Sequence, residues 1–182
     1  MKKVYGFGVL MMVLAAMFFP TGSNAAKGWL LGAGVGVSSI KASGISDSSV
    51  GVGSYLDVGY GFNKYFTAGV YMGGDVAPSK SDDEIENPVI FIVPWAIAYL
   101  GAYGRFTFDA GKNLEPYADI GLGAYSAWGP ETLGMKFGAG LNWFPGKNSG
   151  WFIGPELAFH YIPKYEDSVF EGMFKFGYQW KK

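Results

Sequence analysis

Cysteine is absent from the 182-residue chain, which excludes disulfide staples, thiolate metal sites and cysteine nucleophiles. Histidine occurs once, at His160, and basic residues form no cluster. With the leader lysines Lys2 and Lys3 removed, the formal charge moves from −1 to about −3. Nucleic acid is therefore excluded as an expected partner. After Ala26 there is no helical period and no second apolar run long enough to span a membrane as a helix.

What is present starts with the leader. Lys2 and Lys3 form a basic start, residues 4–19 an apolar run, and Ser23 and Ala25 the small residues of a signal-peptidase site. Residues 1–25 are read as a signal peptide and 26–182 as the mature domain. A membrane anchor fits less well, because Gly6 and Gly8 interrupt a run already short of the roughly 20 residues a span requires. The exported part is rich in glycine, with 29 in the whole chain, and in aromatic residues, at 18 %. Short segments of alternating hydrophobicity separated by turn residues then point to a barrel.

Residues 169–180 carry the pattern most clearly. Phe170, Gly172, Phe174, Phe176, Tyr178 and Trp180 share one face, and Glu171, Met173, Lys175, Gly177 and Gln179 the other. At about 3.3 Å per residue and a tilt near 40°, about a dozen residues climb roughly 30 Å, a bilayer's hydrocarbon thickness. Seven further strands are expected at 29–40, 50–60, 65–73, 89–108, 116–128, 133–144 and 151–161. Eight is an even number, so both termini fall at one rim, and the connections 41–49, 74–88, 129–132 and 162–168 fall at the other. The segment 74–88, with Asp75, Asp82, Asp83, Glu84 and Glu86, reads as a solvated loop. The fourth strand is apolar on both faces, and its expected phase puts Tyr99, Gly101, Tyr103 and Arg105 inward.

One strand face collects Asp57, Arg105, Asp119, Lys136, Glu156, Glu171 and Lys175, together with Asn142, His160 and Gln179. Turning a charge to lipid costs roughly 2–4 kcal/mol near the midplane, so the charged face must be the lumen. A soluble binding barrel would place its apolar face inside, which the pattern contradicts. The expected fold is all-β: an eight-stranded antiparallel up-and-down transmembrane β-barrel with a polar lumen filled by side chains. Buried charges must pair, and the expected pairing has Arg105 and Lys175 bridging the acids nearer the terminal rim and Lys136 joined to Glu171. Trp29, Trp128, Trp143, Trp151, Tyr161, Tyr178 and Trp180 read as aromatic girdles.

Catalytic, cofactor and metal sites are not expected. An acyl-transfer enzyme acting on lipid A needs serine, histidine and an acid together. His160 has Glu156 on its face, but Ile162 two residues on, and Ser126 and Ser168 would meet it only by accident of folding. The acidic loop lacks the ordered spacing of a calcium site. Gly-x-Gly patterns such as 32–36 have no βαβ context and are not nucleotide loops.

The stretches 59–66 (Gly-Tyr-Gly-Phe-Asn-Lys-Tyr-Phe) and 115–123 (Glu-Pro-Tyr-Ala-Asp-Ile-Gly-Leu-Gly), with the aromatic last strand, resemble the small outer-membrane β-barrel superfamily. That group includes the outer-membrane protein A transmembrane domain and the opacity and Ail/Lom-like proteins. The resemblance implies a bacterial outer-membrane protein, monomeric, in contact with outer-membrane lipid and lipopolysaccharide, and recognised by the barrel assembly machinery through its C-terminal strand. Members of the group usually end on an aromatic residue, whereas here Lys181 and Lys182 follow Trp180. The expected function is a structural or surface-interaction role through the outer loops without an open pore. A lipid A-modifying enzyme and a narrow transporter of small apolar molecules are the alternatives.

Overall fold

A computed structural model describes residues 28–41, 48–77, 95–108, 110, 113–126, 131–146 and 150–180. The expected leader at 1–25, the acidic stretch 82–86, Trp128, Lys181 and Lys182 lie outside them. Eight strands follow in chain order: β1 Gly28–Lys41, β2 Ser49–Gly61, β3 Phe66–Ala77, β4 Trp95–Thr107, β5 Leu114–Ser126, β6 Thr132–Trp143, β7 Trp151–Ile162 and β8 Asp167–Gln179. Each pairs antiparallel with its neighbours, and the sheet closes on itself. The closing β1–β8 ladder runs from Leu30 opposite Gln179 to Lys41 opposite Ser168. Closure leaves no free sheet edge, so the wall pairs its backbone donors and acceptors between strands, with one interruption in the β6–β7 ladder.

Alternation decides which way each side chain points. In β8 the odd-numbered residues are buried and the even-numbered ones stand half-buried or exposed. β4, apolar on both faces, keeps the phase read from the sequence: Tyr99, Tyr103 and Arg105 are buried, and Ala98, Leu100 and Phe106 are exposed. The exterior is consequently apolar, with Leu56, Val70, Leu122, Leu157 and Phe174 among its exposed side chains. The polarity is the reverse of a soluble domain's, and only a hydrocarbon surrounding makes it stable.

β3 differs from expectation. It continues through Gly74, Asp75, Val76 and Ala77, and Asp75 is 1 % exposed. Asp75 is thus a wall residue facing the lumen and not part of a solvated acidic loop. The alternation of β3 carries past the glycine pair, setting Asp75 and Ala77 inward and Val76 outward.

One ladder is incomplete. β6 and β7 pair from Met135 opposite Tyr161 to Gly140 opposite Glu156, and again at Trp143 opposite Ile153. The gap falls at Pro155, which has no N–H to contribute. Aromatic rings line the terminal rim. Trp29, Tyr60, Phe62, Phe66 and Phe106 follow one another at centroid spacings of 5.3–6.1 Å. Trp151, Tyr178 and Trp180 form a second run at 5.2 and 4.9 Å. Trp143 ends β6 at this same rim, whereas Tyr161 stands near the far end of β7.

Candidate functional site

The lumen is the site the strands build, and it is layered along the barrel axis. At the terminal rim Leu30, Phe144 and Phe152 form an apolar plug. At the far rim Ile40, Ala77, Ile97, Ile162 and Val169 are buried together with Tyr165 packed on them. Between these two caps lie the charges.

The middle layer is an ion network. Arg105 on β4 donates to Asp119 Oδ2 on β5 from Nη2 at 3.0 Å and from Nε at 3.3 Å, and its Nη2 is 3.3 Å from Asp57 Oδ2 on β2. The guanidinium lies 4.2 Å from the ring centre of Tyr117 and 4.9 Å from that of Tyr103. Lys175 on β8 donates to Asp57 at 3.0 Å and stands 3.7 Å from Glu156. Glu156 on β7 is the hub: Oε2 accepts from the hydroxyls of Tyr55 and Tyr117, both at 2.5 Å, and Oε1 from Lys136 at 2.9 Å. Three acids and three bases interlock, all at most 5 % exposed. Such groups would each carry a desolvation cost of several kcal/mol if left alone.

Lys136 does not join Glu171. It reaches Glu156 and lies 3.8 Å from Asp119, beside the rings of Tyr55 and Tyr71. A four-carbon stem spans the height between layers, and the tyrosine faces hold the ammonium in the middle layer.

The far layer is a hydrogen-bonded group around Glu171. Its Oε1 accepts from Tyr99 at 3.0 Å, and its Oε2 lies 3.2 Å from His160 Nε2. His160 Nδ1 is 2.8 Å from the Tyr125 hydroxyl, which is 3.3 Å from that of Tyr71. The His160 ring packs on Tyr99 at 4.7 Å. Asn142 and Gln179 are buried at 3 % and 5 % exposure toward the terminal rim. The tyrosine hydroxyls and the buried acids Asp75, Glu115 and Asp167 are among the lumen residues that the sequence reading missed; the inward phase of Tyr55, Tyr99 and Tyr117 was the available signal for the hydroxyls.

Catalytic grouping fails on geometry for the two serines considered. Ser126 and Ser168 fall on the outward phase of β5 and β8, across the wall from His160. Among the described residues no three histidine, aspartate or glutamate side chains gather as a metal site.

A closed eight-stranded barrel with an apolar exterior and a charged, filled lumen is the architecture found in solved small outer-membrane β-barrels. Solved structures of that class share the fold. Neisserial surface protein A superposes with a TM-score of 0.66 at 15 % identity, covering 85 % of this chain and 99 % of that one. OprG from Pseudomonas aeruginosa gives 0.55 at 12 % identity, over 88 % and 99 %. Ail, the attachment invasion locus protein of Yersinia pestis, gives 0.52 at 16 % identity, over 85 % and 99 %. No family model and no curated protein matches the sequence.

Proposed function

We propose that the chain is an exported outer-membrane protein whose barrel is a closed anchor and whose far-rim connections meet partners at the cell surface. Residues 1–25 are its signal peptide, and the terminal rim faces the periplasm. The observation carrying this reading is the filled lumen. Two apolar caps enclose a balanced network of Asp57, Asp119 and Glu156 with Arg105, Lys136 and Lys175. A path for ions would have to break several of these buried pairs at once.

The surface role draws support from the fold's occurrence in Ail, whose name refers to attachment and which has been solved with the heparin analogue sucrose octasulfate. In this reading the exterior contacts lipopolysaccharide and lipid, and the last strand engages the barrel assembly machinery as a monomer folds. Planar-bilayer recordings from the folded protein test the closed anchor. The expected result is no large steady conductance; a stable open level would overturn the reading.

A further inference from the structure

Asp167 is buried at the far rim itself; deeper in the far half lie two acids, Asp75 and Glu171, and one imidazole, whose proton positions follow from which atoms have donors. Glu171 is well supplied, by the Tyr99 hydroxyl at Oε1 and by His160 Nε2 at Oε2. Asp75 is not. Neither of its oxygens meets a donor, and Ser38 Oγ close by is also without a partner, although both residues are at most 2 % exposed.

The wall explains how Asp75 arrives there. Gly53 on β2 stands opposite Asp75 on β3 and opposite Gly36 on β1, which in turn faces Met173 on β8. The two glycines leave a bare floor, and a Cβ on Gly53 would sit 2.2 Å from Asp75 Oδ1. Ser38 and Glu171, opposed in the β1–β8 ladder, are the next inward pair beyond Gly36 and Met173, so the register sets the Asp75 carboxyl at the edge of their level. Lys136, the cation of the adjoining layer, is engaged by Glu156.

One proton distributed over Asp75, Glu171 and His160 has two sensible places. On His160 it makes an imidazolium that donates to Glu171 and Tyr125, but it leaves Asp75 as a buried anion without a donor beside a second anion, the costliest arrangement available. On Asp75 it supplies the missing hydrogen bond. His160 Nδ1 then accepts from Tyr125, and no atom of the group is left without a partner.

We propose that a single proton bridges Asp75 and Glu171 and that His160 is held as the neutral Nε2–H tautomer. The hydrogen bonds then share one direction. Tyr71 donates to Tyr125, Tyr125 to His160 Nδ1, and His160 Nε2 to Glu171, where Tyr99 and Asp75 also donate. Ser38 turns its hydroxyl onto the second oxygen of Asp75. Glu171 is the single anion of the far layer, stabilised by three donors. The assignment concerns the lumen and stands whether or not the far-rim connections bind anything.

The single histidine makes the test direct. The wild-type protein, folded in detergent micelles and labelled with the heavy nitrogen isotope in histidine, is expected to give one pyrrole-type resonance, assigned to Nε2, and one pyridine-type resonance at neutral pH. Isotope-edited infrared spectra with carboxyl-labelled aspartate are expected to contain a protonated-acid carbonyl band. That band is lost completely in Asp75→Asn, whose amide still donates to Glu171 and leaves the histidine pattern unchanged. Two pyrrole-type nitrogens, or no protonated aspartate in the folded wild type, would overturn the proposal. Both decisive readings are made on the wild type, so they stand even where the variant folds poorly.

Discussion

Arg105 shows at the scale of a residue how the lumen is held. Its planar fork serves Asp119 and Asp57 from one side chain while its faces lie on Tyr117 and Tyr103, a geometry lysine does not reproduce. In Arg105→Ala, Asp57 retains Lys175 and Asp119 retains only Lys136 at 3.8 Å. Breaking a buried pair from one side typically costs about 3–5 kcal/mol, and that loss is expected in urea unfolding from lipid vesicles, with a smaller one for Arg105→Lys. A loss within the about 0.5 kcal/mol typical of surface positions would mean the network contributes little. Inward phase was legible in the sequence at Asp57, Arg105 and Glu156 because strand period alone sets it. The partner of Lys136 was not, since a long flexible stem chooses among layers by the rings around it. Asp75 was misplaced because the acidic stretch after it outweighed two further steps of alternation.

Among the elements, the ladder between β1 and β8 bears the closure. Gly36 sits in it at a close approach: a Cβ there would stand 2.1 Å from the Gly172 carbonyl oxygen and 2.7 Å from Met173 Cα, both backbone atoms of β8. Backbone cannot rotate away as a side chain can, so Gly36→Ala must push the strands apart. Overpacking of this kind costs about 1–3 kcal/mol, expected as a lower unfolding midpoint. Gly104→Ala is the control, because its nearest neighbour is the Phe66 ring at 3.3 Å, a side chain able to shift. Equal midpoints for the two variants would contradict this account of the seam. Strand existence and facing were readable from alternation even in β4, whereas ends were less so. β3 runs on to Ala77 and β5 begins at Leu114 ahead of Pro116, because pairing with a neighbour, and not local composition, decides where a ladder stops.

For the whole molecule, closure of the sheet through eight ladders predicts a compact form that resists dodecyl sulfate until heated. Unboiled and boiled samples are expected to migrate differently on a gel, and identical migration would contradict a closed barrel. The fold class was legible because lipid outside and charge inside leave only one arrangement of the amphipathic strands. The role of the far-rim connections was not, since polar loop composition specifies no partner. The two runs of rings at the terminal rim meet where the chain does, with the Trp180 amide bonded to the Trp29 carbonyl at 2.8 Å. The first and last strands thus bring a tryptophan each to the same point, one from either end of the sequence. With the other four tryptophans replaced by phenylalanine, the emission of this pair would give the molecule an optical gauge of ring completion.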